Sequence, residues 1–184
     1  MPIVDPSGVK VLFASAPERI DPLNKNWNLK NTARVIGGLT QEATSKAEQF
    51  YATFCEQVHT VSSPEVAESA KLLENTFRQV NIAFINQFTQ IMDKLNIPVH
   101  EVTEAANTKP FGFMKFTPGP GVGGHCIPVD PHYLLDSASR LEVELPVLNS
   151  AIEVNLKVPQ KILGKVQEIL GHDSKSTVLL IGIA

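Results

Sequence analysis

Cys126 stands in the run Gly123-Gly124-His125-Cys126-Ile127-Pro128-Val129-Asp130-Pro131. A lone cysteine is usually a small buried hydrophobe, and Cys55, on an apolar-rich helix, reads that way. Cys126 is flanked instead by glycines, an imidazole and a carboxylate, just before a helix start. Such surroundings activate a thiol and leave it open to substrate, which makes it a candidate nucleophile. The rival is a metal site built from His125, Cys126, Asp130 and His132. Adjacent residues rarely ligate one ion in tetrahedral geometry, and no second Cys/His pair is present. The spacing favours the nucleophile over the metal.

Lys71 and Asn75 lie four residues apart in a strongly helical stretch, so they share a face, with Glu68 one turn earlier. A cation and an amide pointing together can stabilise a developing oxyanion. Glu68 and Lys71 can equally form an ordinary surface ion pair. Spacing alone does not choose.

Gly119-Pro120-Gly121-Val122-Gly123-Gly124 matches GxGxxG letter for letter. The dinucleotide fingerprint, however, needs a strand leading into the glycines and a helix N-terminus after them. Pro118 precedes this run and Pro128 is expected to block a helix behind it. The motif reads as a decoy, its glycines letting backbone approach a ligand closely.

These residues must be positioned by something, and the chain between residues 40 and 170 reads as helical. Thr40 can cap a helix with apolar positions Ala43, Ala47, Phe50, Phe54 and Val58. Ser63 caps a second, with Pro64 at its first position. Its stripe runs Val66, Ala70, Leu73, Phe77, Val80, Phe84, Phe88, Ile91 and Leu95, giving roughly 48 Å of helix before Pro98. Ile82, Ile85 and Met92 add a second apolar strip, as expected of a helix packed on two sides, either in the core or at a subunit interface. Residues 109–131 are too rich in Pro and Gly for helix or central strand and read as a long functional loop. A helix opening at Pro131 and another over 146–170, kinked at Pro159, follow. The apolar segments at 9–14 and 177–184 read as buried strands of a parallel sheet. Little between them supplies further strands, so a longer α/β protein cut at both ends is expected. Residues 171–174 read as the connection into the final strand.

The 184 residues, 43% hydrophobic and 19% charged with net charge −3, suit a globular domain rather than a disordered or fibrous chain. The slight acidity argues against nucleic acid or an anionic membrane as main partner. No apolar run approaches the ~20 residues that span a bilayer, and the first residues are no signal sequence. Two cysteines make no disulfide framework. A cytoplasmic protein is the expectation.

Lys71-Leu72-Leu73-Glu74-Asn75-Thr76-Phe77, Asn81-Ile82-Ala83-Phe84-Ile85-Asn86 and the whole of residues 110–135 resemble the UDP-glucose/GDP-mannose dehydrogenase family. The block from Pro118 to Pro131 is most similar to the branch oxidising UDP-N-acetylhexosamines at C6. Ser15-Ala16-Pro17-Glu18-Arg19-Ile20-Asp21-Pro22 and Val35-Ile36-Gly37-Gly38 match the segment ending that family's cofactor domain.

The resemblance implies a mainly α chain: a central helical dimerisation domain flanked by the cut ends of two α/β, Rossmann-like domains. Residues 1–42 would be the tail of the NAD-binding domain and 43–170 the helical domain, with its catalytic loop at 109–131. Residues 171–184 would be the first strand of the nucleotide-sugar domain. It further implies NAD, bound mainly by a domain outside this chain, a UDP-sugar substrate and a homodimer through the central helices. Carried over by position, Cys126 attacks the aldehyde intermediate to form a thiohemiacetal, whose oxidation gives a thioester that water hydrolyses. Lys71 and Asn75 match the oxyanion-stabilising pair, and Asp130 the group that positions water or accepts protons. Glu18 matches an acid lining the substrate site. Lys115, Phe116, Gly121, Gly123 and Gly124 belong to the stretch expected along the sugar nucleotide. Pro22 and Val129 replace an acid and a lysine of other branches, favouring an acetamido sugar over glucose. The competing expectation is a non-catalytic helical dimerisation module with a vestigial site.

Overall fold

The computed structural model describes residues 3–4, 10–21, 24–171 and 176–182. It divides into two compact units, Met1–Asn75 and Thr76–Ala184. Helices dominate the described chain, as the mainly α reading requires.

The first unit is built on β4 (Arg34–Gly38) and β5 (Val58–Val61), which pair in parallel with Val35 opposite His59 and Ile36 opposite Thr60. Between them runs α1 (Gln41–Tyr51), whose N-terminus is capped as expected: Thr40 Oγ1 accepts from the Ala43 N–H at 3.1 Å. This β–α–β crossover corrects the reading that the middle of the chain is helical and supplies little further strand. Val58 opens β5 and does not close a helical stripe, because the chain leaves the helix at Ala52 and the β-branched Val58, Thr60 and Val61 find a ladder partner in β4. Cys55 accordingly lies beyond the helix expected to carry it, in the connection between α1 and β5. It is buried, as expected of a core thiol, and its Sγ donates to the Leu29 carbonyl at 3.4 Å. Val35, Ile36, Ala43 and Ala67 form the core, and Ile36 is fully enclosed.

The single buried strand expected over 9–14 is also corrected. β2 (Lys10–Val11) pairs antiparallel with β1 (Ile3–Val4), whereas β3 (Ala14–Ser15) pairs antiparallel with β4. Pairing changes partner across Leu12 and Phe13, so neither piece grows, and Phe13 stays 48% exposed. Val9 lies outside the described residues.

α2 (Pro64–Lys94) starts where Ser63 and Pro64 place it, with Ser63 Oγ accepting from the Val66 N–H at 3.4 Å. Residues 64–75 belong to the first unit and 76–94 to the second. In the second unit α2 is followed by α3 (Val99–Asn107), a short helix the sequence reading did not single out. Then come α4 (Cys126–Arg140) and α5 (Pro146–Leu170), the latter continuing through Pro159.

Four contacts set α5 beside α2 and running the same way. Asn155 Nδ2 donates to the Gln79 carbonyl at 3.1 Å, and Asn86 Nδ2 to Asn155 Oδ1 at 3.3 Å. Further along, Lys161 pairs with Gln90 and Lys165 with Asp93. Of the two apolar strips on α2, the one carrying Ile85 and Met92 is buried. The other, with Phe77, Phe84, Ile91 and Leu95, faces outward, and Phe84 is 63% exposed.

Two expectations fail around α4 and at the chain end. The loop expected over 109–131 stops at residue 125, because α4 begins at Cys126 with Pro128 in its first turn. The first four N–H groups of a helix have no intrahelical acceptor, so a proline there breaks nothing. The strand expected over 177–184 is absent from its described part: residues 176–182 join no strand ladder among the described residues, and Val178 to Ile181 are 58–84% exposed. Of the expected connection at 171–174, only Gly171 lies within the described residues.

Candidate active site

In the first unit, Arg34 opens β4 and is 5% exposed, so its guanidinium must be compensated. Its Nη1 donates to the Pro17 carbonyl at 2.9 Å and its Nη2 to Glu18 Oε2 at 2.9 Å, while the guanidinium lies 5.1 Å from the Tyr51 ring centroid. Glu18 Oε1 accepts from the backbone N–H groups of Arg19 and Ile20 at 2.8 and 2.9 Å. Partial burial pushes the Glu18 carboxyl upward. The Arg34 hydrogen bond, the two backbone donors and the Arg34 charge outweigh it and hold the group below its ordinary range. Glu18 is thus a fixed carboxylate, spoken for on both oxygens.

Arg19 binds the same segment to α2, its Nε donating to Glu74 Oε2 at 3.2 Å and its Nη1 to the Ala33 carbonyl at 2.9 Å. Glu74 is followed by Asn75, which is 5% exposed, and Lys71 lies half-buried one turn earlier. Lys71 pairs with neither Glu68 nor any other carboxylate among the described residues, which removes the surface ion pair as its explanation. Glu68 instead lines a cleft of about 470 Å³ with Phe13, Ser15, Pro17, Leu39 and Pro64.

In the second unit, Cys126 is the first residue of α4, exposed and unbridged. Asp130 follows four residues later, on the same face and half-buried. No group of three or more His, Cys, Asp or Glu able to hold a metal ion occurs among the described residues.

The loop ahead of Cys126 is anchored side by side with α2. Lys115 pairs with Glu104 of α3, and the Phe116 ring meets Phe77 edge-on with centroids 5.8 Å apart. Both aromatics line an apolar cleft of about 420 Å³ with Phe84, Phe113 and Met114. The Gly119 N–H donates to Asn86 Oδ1 at 3.0 Å. Gly121 adopts φ +114° and Gly124 φ +81°, conformations that glycine takes without steric cost. Around Gly123 and Gly124 there is open space.

Of the two features that set Gly119 to Gly124 apart from a dinucleotide fingerprint, the structure keeps one. No strand leads into the glycines, so the fingerprint geometry is not made by the described residues. A helix does follow, because Pro128 is harmless in its first turn.

The sequence reading assigned no role to Arg34, Asn86 or Asn155. Arg34 gave no signal beyond its place before an apolar pair. Asn86 did: Gln79, Ala83, Asn86 and Gln90 fall at helical spacing on one strip of α2, and amides repeating among apolar residues mark a buried polar seam.

Residues 65–157 match the family model described as the UDP-glucose/GDP-mannose dehydrogenase family, central domain. A UDP-N-acetyl-D-mannosamine dehydrogenase of Pyrococcus horikoshii is 35% identical over 181 residues, covering 96% of this chain and 42% of that protein. An NDP-N-acetyl-D-galactosaminuronic acid dehydrogenase of Ralstonia nicotianae is 34% identical over 174 residues, 95% of this chain and 40% of that one. The chain therefore spans well under half the length of these relatives. Among solved structures, the UDP-D-ManNAc dehydrogenase of Pyrococcus horikoshii superposes with a TM-score of 0.79 at 35% identity, over 89% of this chain and 38% of that one. A UDP-glucose dehydrogenase of Pyrobaculum islandicum gives 0.79 at 27% identity, over 90% and 38%.

Proposed function

Since the chain belongs to the UDP-glucose/GDP-mannose dehydrogenase family, we propose that it is the central part of a larger enzyme oxidising the C6 alcohol of a UDP-N-acetylhexosamine to the carboxylate. The observation that carries the reading is an exposed cysteine at the first turn of α4, behind an anchored glycine loop and one helical turn before a carboxylate. The matched stretch 65–157 also contains Lys71, Asn75, Lys115, Phe116, Cys126 and Asp130.

In this proposal the Cys126 thiolate forms a C–S bond to C6 of the aldehyde, and the carbonyl oxygen takes up a proton to give a thiohemiacetal. Oxidation converts that adduct to a thioester, and water then breaks the C–S bond, releasing the carboxylate and returning the thiolate. Lys71 and Asn75 stabilise the negative oxygen, and Asp130 orients the water and accepts its proton. NAD serves as the oxidant in both oxidations. The glycine run here does not make its pyrophosphate cradle, so its binding is assigned mainly to a domain outside these residues. Residues 1–42 would close that cofactor domain, 43–170 form the helical domain and 171–184 open the sugar-nucleotide domain. Glu18, held by Arg34, would line the substrate site, as would Lys115, Phe116, Gly121, Gly123 and Gly124.

The outward strip of Phe77, Phe84, Ile91 and Leu95 supports a homodimer through α2, because an apolar row this long on one helix is costly to leave in water. The two unbridged cysteines suit the cytoplasm. No helix among the described residues is long and apolar enough to cross a membrane. The test is mass spectrometry of the enzyme quenched during turnover. A sugar-nucleotide thioester on the peptide carrying Cys126 is the expected result; its absence, with carboxylate still formed, overturns the covalent route.

A further inference from the structure

The loop between α3 and α4 has no ladder of its own, yet one of its backbone amides is firmly held. Among the described residues, the Gly119 N–H is the backbone donor of 113–124 that finds an acceptor, Asn86 Oδ1 at 3.0 Å. That contact begins a relay. Asn86 Nδ2 donates to Asn155 Oδ1 at 3.3 Å, and Asn155 Nδ2 donates to the Gln79 carbonyl at 3.1 Å. Asn86 and Asn155 are each 5% exposed.

The direction of the relay is forced from both ends. An N–H can only donate, so Asn86 must turn its oxygen to Gly119 and its NH₂ to Asn155. A carbonyl can only accept, so Asn155 must turn its NH₂ to Gln79 and its oxygen back to Asn86. The two side chains are therefore locked in one orientation by backbone groups of α2 and of the loop. Two residues past Gly119, Gly121 rests on the backbone carbonyl of the same Asn155, where a Cβ would come within 3.1 Å.

We infer that Asn86 is a positioning residue: its side-chain oxygen fixes the register of the glycine loop seven residues ahead of Cys126. This inference rests on the proposed sugar-nucleotide role for its meaning in catalysis, but its structural content is tested apart from it. The measurement is hydrogen exchange of the Gly119 amide by NMR in the 184-residue chain, for wild type, Asn86→Leu and Asn86→Asp. Leu fills the side-chain volume without an acceptor; Asp, compared with wild type at a pH low enough to protonate its buried carboxyl, keeps an acceptor for the Gly119 N–H and a donor for Asn155 Oδ1. Asn86→Leu should speed Gly119 exchange by about tenfold or more, the effect of removing one hydrogen bond, with the β4 and α1 amides unchanged. Asn86→Asp should stay within a few-fold of wild type. Equal loss of protection in Asp and Leu, or a loss that merely tracks exchange across all of α2 and α5, overturns the inference.

Binding of a UDP-N-acetylhexosamine, followed by calorimetry on the same variants of the complete enzyme, separates the two claims. Weakened binding in Asn86→Leu with recovery in Asn86→Asp supports both. A wild-type enzyme that binds no UDP-sugar counts against the sugar-nucleotide reading, while the exchange contrast still decides the role of Asn86.

Discussion

Gly121 lies against the backbone carbonyl of Asn155, the carbonyl that Pro159 leaves without its helical donor. A Cβ on Gly121 would stand 3.1 Å from that oxygen, on a backbone at φ +114° that side chains rarely adopt. Gly119, two residues earlier, has open space where its Cβ would be. Gly121→Ala should therefore destabilise the folded loop by about 1–3 kcal/mol, combining backbone strain with the close contact. Gly119→Ala should stay within about 0.5 kcal/mol. Limited proteolysis of residues 113–124, read beside urea unfolding, checks the contrast. Equal behaviour of the two variants would contradict it.

For the active enzyme, Cys126→Ala should abolish formation of the carboxylate product while UDP-sugar binding survives. Cys55→Ala serves as control: its thiol is buried against the Leu29 carbonyl, so it should cost some stability and leave turnover near normal. Lys71→Ala should lower kcat by roughly 10²–10³, the scale of one lost oxyanion donor. Product analysis by mass spectrometry distinguishes these outcomes, and near-normal carboxylate from Cys126→Ala would end the nucleophile assignment.

The pairing of Glu18 with Arg34 has a pH signature. Glu18 is held below its ordinary range in the folded state, so its contribution is fully present above the unfolded pKa, about 4. That contribution is lost as pH falls through the lower, folded value. Glu18→Gln should flatten the acid limb of the stability curve below about pH 4. Because the Glu18 side chain is 58% exposed, the change should be small beside that of Arg34→Met, which removes the buried guanidinium and leaves the Pro17 carbonyl and the Glu18 carboxylate without their donor. Thermal melts between acid and neutral pH give both answers. An unchanged acid limb in Glu18→Gln would refute the assignment.

Phe84 is 63% exposed at the middle of the outward strip of α2. Phe84→Asp should leave helicity intact and shift a homodimer to monomer, since an unpaired charge in a dry interface costs several kcal/mol. Light scattering at roughly tens of micromolar, about the range where micromolar association is populated, reads the change. A wild-type chain that is already monomeric there would remove the dimer proposal.

What was legible in the sequence had a local cause. The caps at Thr40 and Ser63, and the long stripe on α2, depend on neighbours within one or two turns, and they stand where expected. The strands did not, because a strand is made by its partner. Val58 fits a helical spacing until β4 lies beside it, and residues 177–182 are apolar enough for a strand without a ladder to join. Pro128 misled for the opposite reason, since a rule about helix interiors was applied to a first turn. Cys126 was singled out from residue types alone. Asn86 was not, because its importance comes from Asn155, remote in sequence.

The bare segment Val178-Leu179-Leu180-Ile181 also bears on handling. It carries no charge and no proline, and it joins no ladder among the described residues, the composition of a sticky β-forming window. In concentrated solution such windows line up with one another whatever the helices do. Particle growth of this chain would therefore have two sources of different kind: the proposed saturable two-fold contact on α2, and open-ended accretion through residues 178–181. A version of the chain ending at Gly171 keeps the first and loses the second.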